Sequence, residues 1–253
     1  MDVKAAGVYD PGVDADTVNF KKSFTIGLAY FPNGTVDDWG DLNPCDDEHR
    51  TKLKDKGVAI SSFRVNVDEM ALLRTPRQDE DGLMETQSAT LLSVVAYARG
   101  VRSKPRVIRV KKAYPRREED FEGKYGRVSS LSLLTRFDEG KLEDLQWENV
   151  GCGACSSDQC LHVGINATDS RNADYSCMLQ NDRDCESSLV TPDCVSYGTC
   201  PIPDGSKAAL QCQTSILMAF SGTDGKSRVL NTGSSLGDLA KHSVSDAFAE
   251  AEL

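Results

Sequence analysis

No stretch of about 18 consecutive apolar residues occurs in this 253-residue chain, so no segment of it can cross a bilayer as a helix. Histidine is scarce: His49, His162 and His242 stand far apart, in polar contexts, with no G-x-S-x-G sequence to accompany them. A Ser-His-Asp or Cys-His site needs one of them paired with a nucleophile, and the sequence carries no such signature. Basic charge is in deficit, with 29 Lys and Arg against 39 Asp and Glu and a net charge of −10. That argues against nucleic acid and anionic membrane surfaces as partners, because both demand clustered cations. The first twenty residues, MDVKAAGVYDPGVDADTVNF, have no apolar signal-peptide core. There is no internal repeat and no low-complexity tract.

What the chain has instead is sulfur in one place. Eight of its nine cysteines fall between Cys152 and Cys212, at Cys152, Cys155, Cys160, Cys177, Cys185, Cys194, Cys200 and Cys212. The same stretch holds few large apolar side chains, among them Leu161, Val163, Ile165, Met178, Leu179, Leu189 and Val190. A segment this poor in apolar surface cannot offset its ordering entropy by burial, so covalent or coordinate bonds must hold it. Cys152-Gly-Ala-Cys155 is half of a zinc or redox motif, but a second knuckle is missing and His162 is the one imidazole nearby. Four disulfides are the simpler reading, and they imply an oxidising compartment. Spacing alone leaves 105 pairings open for eight cysteines. Cys45 is left over, either unpaired or bonded to another chain. A cytosolic zinc module is the rival.

Two sequons, at Asn33 and Asn166, fit the same address, one after an expected strand end and one inside the cysteine block. The acidic clusters 46–48, 79–81 and 118–120 are candidates for calcium or for a glycosidase carboxylate pair, but none has EF-hand spacing and each reads first as a solvated turn. Tyr9, Tyr30, Trp39, Tyr175 and Tyr197 sit in or beside polar stretches. Trp39, Tyr175 and Tyr197 are the residues that would form a carbohydrate platform; ordinary loop anchoring is the plainer role.

Read in order, residues 1–20 are irregular. Residues 24–31 alternate as a strand that Pro32-Asn33-Gly34 ends. Residues 36–56 read as an exposed charged loop carrying Trp39 and Cys45. Gly57 opens a second strand in which Ala59, Ser61, Phe63, Val65 and Val67 share a face. Residues 71–73 are a short apolar segment. Residues 86–99 suit a helix or a strand, and the β-rich neighbourhood favours a strand turning through 102–105 into 106–110. Residues 114–126 read as a polar connection. Asp138-Glu139-Gly140 is the clearest hairpin turn, leading into Leu145 and Trp147. A last strand carries Cys212, Thr214, Ile216, Met218 and Phe220 on one face, and 235–252 form a terminal helix capped by Ser235.

The stretches SSFRVNVDEMALLRTPRQDEDGLMETQSATLLSVVAYARGVRSKPRVI (61–108), LQWENVGCGAC (145–155) and CQTSILMAFSGTDGKSRVLN (212–231) resemble a family of green-plant secreted proteins labelled only EXPP-type. The likeness runs over about residues 61–231 and is loosest in the cysteine block. It implies a cleaved leader, an extracellular address and a β-rich body, and it supplies no reaction.

The expectation is therefore a mainly β chain: an antiparallel β-sandwich with a disulfide-rich insertion and one C-terminal helix. Residues 1–253 form a single domain, with 151–212 as a stapled subdomain lying between two core strands that are close in space. The chain is expected to be extracellular, with a leader removed or absent from it. Its expected role is that of a non-enzymatic, N-glycosylated matrix or cell-surface module with no cofactor. Partners would be an extracellular glycan or protein, or further copies joined through Cys45 or sheet edges. The alternatives are a carbohydrate-binding module of the cell wall and a secreted hydrolase using paired carboxylates.

Overall fold

The computed structural model describes residues 2–3, 17–32, 47–74, 91–115, 124–128, 130–148, 160–162, 175–180 and 214–234. They are mainly β. In chain order the elements are β1 (Asp2–Val3), β2 (Ser23–Pro32), α1 (Asp47–Asp55), β3 (Ala59–Asn66), β4 (Ala71–Arg74), β5 (Leu91–Ala98), β6 (Val101–Arg102), β7 (Arg106–Pro115), β8 (Lys124–Val128), β9 (Ser130–Asp138), β10 (Lys141–Glu148), β11 (Cys160–His162), β12 (Tyr175–Gln180), β13 (Ser215–Thr223) and β14 (Val229–Leu230). A six-stranded sheet runs β1-β4-β13-β9-β10, with β14 beside β13. An eight-stranded sheet runs β11-β12-β8-β7-β5-β2-β3, with β6 beside β5.

One apolar core joins the two sheets. Phe24 on β2 meets Phe137 on β9 edge-on at 5.4 Å and Phe220 on β13 at 6.4 Å, while Phe137 and Phe220 stack at 6.2 Å. Such aromatic packing adds about 0.5–1.5 kcal/mol per pair beyond the area it buries. The alternation read in β2 is real, but both of its faces are buried. Phe24, Ile26, Leu28 and Tyr30 enter the core to which both sheets contribute; Ala29 and Phe31 pack on the other face with Leu53, Val58, Val95 and Tyr97. Tyr30, read from the sequence as lying beside a polar loop, is 2% exposed. Burial, with Tyr97 adding to it, pushes its phenol far above the usual tyrosine range.

Leu53 belongs to α1, which corrects the expected charged loop over 36–56 for the part described. The signal was present in how the helix stops. Val58 donates to the Leu53 carbonyl and Gly57, at φ 75°, donates to that of Lys54. This is a Schellman ending, with Leu53 and Val58 as its apolar pair. Gly57 therefore closes a helix before a strand follows. Leu53 is the helix's one large apolar residue, too few for periodicity to reveal it.

The strand assignment for 91–98 holds, and the turn comes earlier than expected. Arg99 and Gly100 both take positive φ (46° and 81°) between the paired residues Ala98 and Val101. The Glu139-Gly140 turn repeats this, at 46° and 77°, between Asp138 and Lys141. Two central residues with positive φ match the right-handed twist of the strands they join. The 71–73 segment is part of β4, and β7 and β8 extend into the expected polar connection. Asp2 and Val3 pair with Leu72 and Leu73, in a region read as irregular. The sheets are not wholly antiparallel, because β13 runs parallel to β9 and β1 parallel to β4. A parallel neighbour needs a long connection, and the cysteine block supplies one ahead of β13. Trp147 on β10 and Met218 on β13 both sit opposite Leu133, so the strands flanking the block are neighbours of one β9. The expected helix over 235–252 lies outside the described residues.

Candidate functional site

Among the described residues, two places concentrate polar chemistry. The first is a corner where three turns meet. Asp224, 1% exposed, ends β13 and spreads its carboxylate over three backbone N–H donors: Phe20 on Oδ2 at 3.0 Å, and Lys226 and Arg228 on Oδ1 at 2.8 Å each. Val18 donates to the Gly140 carbonyl, Gly140 to that of Thr223 and Gly225 to that of Val18, so residues 17–22 are threaded between two hairpin turns. Gly140 has no room for a side chain there: a Cβ would lie 2.6 Å from the Gly225 nitrogen and 2.7 Å from the Val18 oxygen. Burial by itself would raise the Asp224 carboxyl, but the Phe20, Arg228 and Lys226 amides and the Arg228 guanidinium hold it below the usual aspartate range. A carboxylate whose oxygens are engaged this way is a staple. A second Asp works alike: Asp68, at φ 61°, accepts from Asn231 and Thr232 at 2.9 and 2.8 Å and so ties the turn after β3 to the chain beyond β14.

The second place is the far end of the eight-stranded sheet. β7 pairs with β8, β8 with β12, β12 with β11, and β11 with β7, so the pairings form a closed circuit. Two strands of that circuit, β11 and β12, come from the cysteine block. Its register brings sequence-distant residues into rows. Cys160 stands opposite Cys177. His162 stands opposite Tyr175 on one side and Tyr114 on the other.

Which side of the circuit each row occupies follows from alternation. Met178 is 1% exposed and packs in the core that both sheets share. Counting back by twos puts Ser176 and its partner Leu161 on the core side. Val128 is also a core residue, and counting along β8 to Lys124, across to Ala113 and on to Pro115, the partner of Leu161, gives the same side, with the bulge between Val110 and Ala113 taking up the extra residue of β7. The odd positions of β12 then belong to the opposite side. That side carries the Cys160–Cys177 positions and, one step along the ladder, the Tyr114–His162–Tyr175 row.

Of the residues singled out in the sequence, Cys160, Cys177 and Tyr175 are therefore brought together, with His162 beside them. Tyr114 was missed, because its place in the row depends on pairing and not on its neighbours. His49 lies on α1, remote in sequence and element from this row. Glu48, from the first acidic cluster, pairs with Lys52 at 2.6 Å along that helix, the solvated role expected of such clusters. Asn33, Trp39, Cys45, Cys152, Cys155, Asn166, Cys185, Cys194, Tyr197, Cys200, Cys212 and His242 lie outside the described residues, as do the clusters 79–81 and 118–120. No helix among the described residues is long and apolar enough to cross a membrane.

No curated protein and no solved structure matches the chain. A family model does match residues 107–247, which takes in all but the first residue of β7, both strands donated by the cysteine block, and β13 with β14. The chain belongs to the family described as "Uncharacterised protein DDB_G0273449".

Proposed function

We propose that this is an extracellular, disulfide-bonded and N-glycosylated module, non-enzymatic, that acts as a structural or interaction element of a matrix or cell surface. In this reading the two sheets form a β-sandwich around the Phe24–Phe137–Phe220 core, and the cysteine block is a stapled insertion laid against its side. The observation that carries it is how the block is attached. β11 and β12, both donated by the block, join the sheet through backbone ladders whose register sets Cys160 opposite Cys177. Directly opposed cysteines lie within disulfide reach, and a stretch whose sequence holds so few large apolar residues needs covalent support. The resemblance of 61–231 to green-plant secreted proteins points the same way.

The test is the intact mass of natively produced, deglycosylated protein before and after reduction. Four bridges add about 8 Da on reduction. A chain that takes up alkylating reagent at every cysteine without reduction, or releases zinc, would sink the extracellular reading.

A second reading, a carbohydrate-binding module, is favoured by the Tyr114–His162–Tyr175 row. Strands about 4.8 Å apart space three ring-bearing positions at intervals close to the advance of a sugar unit. On this reading Tyr114→Ala and Tyr175→Ala each abolish retention on a polysaccharide that the native protein binds, with the fold intact by circular dichroism. An unchanged retention would discard the row as the platform.

A further inference from the structure

We infer that Cys160 and Cys177 form a disulfide with each other, a cross-strand clamp that locks the closed circuit of β7, β8, β12 and β11. The inference rests on the stapled-block reading and goes beyond it, because the spacing of eight cysteines leaves the pairing open and the register selects one pair.

Three observations converge. The two residues are direct Cα partners in an antiparallel ladder. Directly opposed residues have Cα atoms about 4.5 or 5.5 Å apart, depending on which kind of ladder position they hold, and both distances lie inside the window of about 4.4–6.8 Å that a disulfide spans. The two positions also share one side of the sheet. Alternation from Met178 along β12 puts Ser176 and its partner Leu161 on the core side and so sets the Cys160 and Cys177 positions on the opposite one. Lastly, the pair sits at a junction: among the described residues β11 pairs with β12 at Cys160, Leu161 and His162 and with β7 at Leu161 and His162, so a bond here ties two ladders together.

The chemistry balances. Two thiols lose two protons and two electrons, one S–S bond forms, and a disulfide donor, either a small-molecule disulfide or a protein oxidase, is reduced to two thiols by exchange. The bond closes a loop over residues 161–176, which carries the Asn166 sequon. Closing a loop of this length constrains the unfolded chain appreciably.

The test uses the full chain from an oxidising host, alkylated without reduction and cleaved on the N-terminal side of aspartate. Cleavage at Asp158, Asp169, Asp174 and Asp182 isolates 158–168 and 174–181, each with one cysteine. The expected result is a single cross-linked species joining these two peptides, which separates into both on reduction. Finding either peptide joined to one carrying another cysteine overturns this pairing while leaving the stapled-block reading standing. Finding both peptides alkylated overturns this pairing too, and alkylation of every cysteine without reduction, or zinc bound to native protein, overturns the stapled-block reading with it. Cys160→Ser and Cys177→Ser give a second readout. Each lowers Tm by about 6–12 °C, and the double variant falls no further than either single one. Additive losses in the double variant would overturn the pairing.

Discussion

Replacing Asp224 with alanine is expected to cost about 3 kcal/mol and lower Tm by about 6–12 °C, measured by calorimetry or by chemical denaturation. The carboxylate satisfies three backbone N–H groups that have no substitute in an alanine side chain. Leaving buried donors unpaired costs about 1–3 kcal/mol apiece, less where water can reach them, as it can at the exposed Lys226 and Arg228. The companion variant Asp224→Asn separates shape from charge, since it keeps an acceptor oxygen and loses the ionisation. Because the folded-state carboxyl titrates below its unfolded value, its contribution is complete above the ordinary aspartate range near about pH 4. It is lost as pH falls through the depressed folded value. Native protein should therefore lose stability as pH falls below about 4, and Asp224→Asn should flatten that limb. An equal acid slope in both proteins would show that the staple does not depend on charge.

The second large effect is expected at Gly222. Its φ is 93°, and a Cβ there would fall 1.8 Å from the carbonyl oxygen of Phe137. That oxygen is backbone in the neighbouring strand, so the overlap cannot be relieved by a rotamer. Gly222→Ala must push β13 off β9 beside the Phe137–Phe220 stack, and backbone strain and overpacking together put the cost at about 3–5 kcal/mol. Gly100→Ala is the control. Its φ is 81°, but nothing lies within 4 Å of the added carbon, so the loss should be only about 1 kcal/mol. Similar losses at the two positions would mean that dihedral strain, and not the approach of β9, sets the cost.

These contrasts also show how much of the molecule could be read beforehand. Strands with local signals were legible: the alternation of 24–31 and 59–67, and the turn at Asp138-Glu139-Gly140. Elements whose stability is wholly tertiary were not. α1 presents one apolar residue, Leu53, to a surface made by Ala29, Phe31 and Val95, so no window along 47–55 could show it. β11 and β12 are too short for periodicity to register, and they exist because β7 and β8 offer them partners. Tyr114 and His162 looked unrelated for the same reason, being 48 positions apart in sequence and neighbours only in register. Asp224 stood in plain sight within a turn sequence, and its role depended on Phe20, more than two hundred residues away. Short-range patterning reports dihedral preference, while staples and rows are set by which distant strands meet.

The circuit at the end of the eight-stranded sheet bears on the kind of polymer, if any, this chain can build. β11 is flanked on both sides, by β12 and by β7, so among the described strands that end has no vacant ladder on which another copy could seat. At the opposite end stands β3, whose ladder partner in the described sheet is β2. Counted over the described strands, growth through backbone pairing in this sheet would thus have a valency of at most one, giving dimers that stop instead of fibres that propagate. Longer assemblies would have to recruit chemistry outside this ladder, whether thiol exchange, sugar or the other sheet.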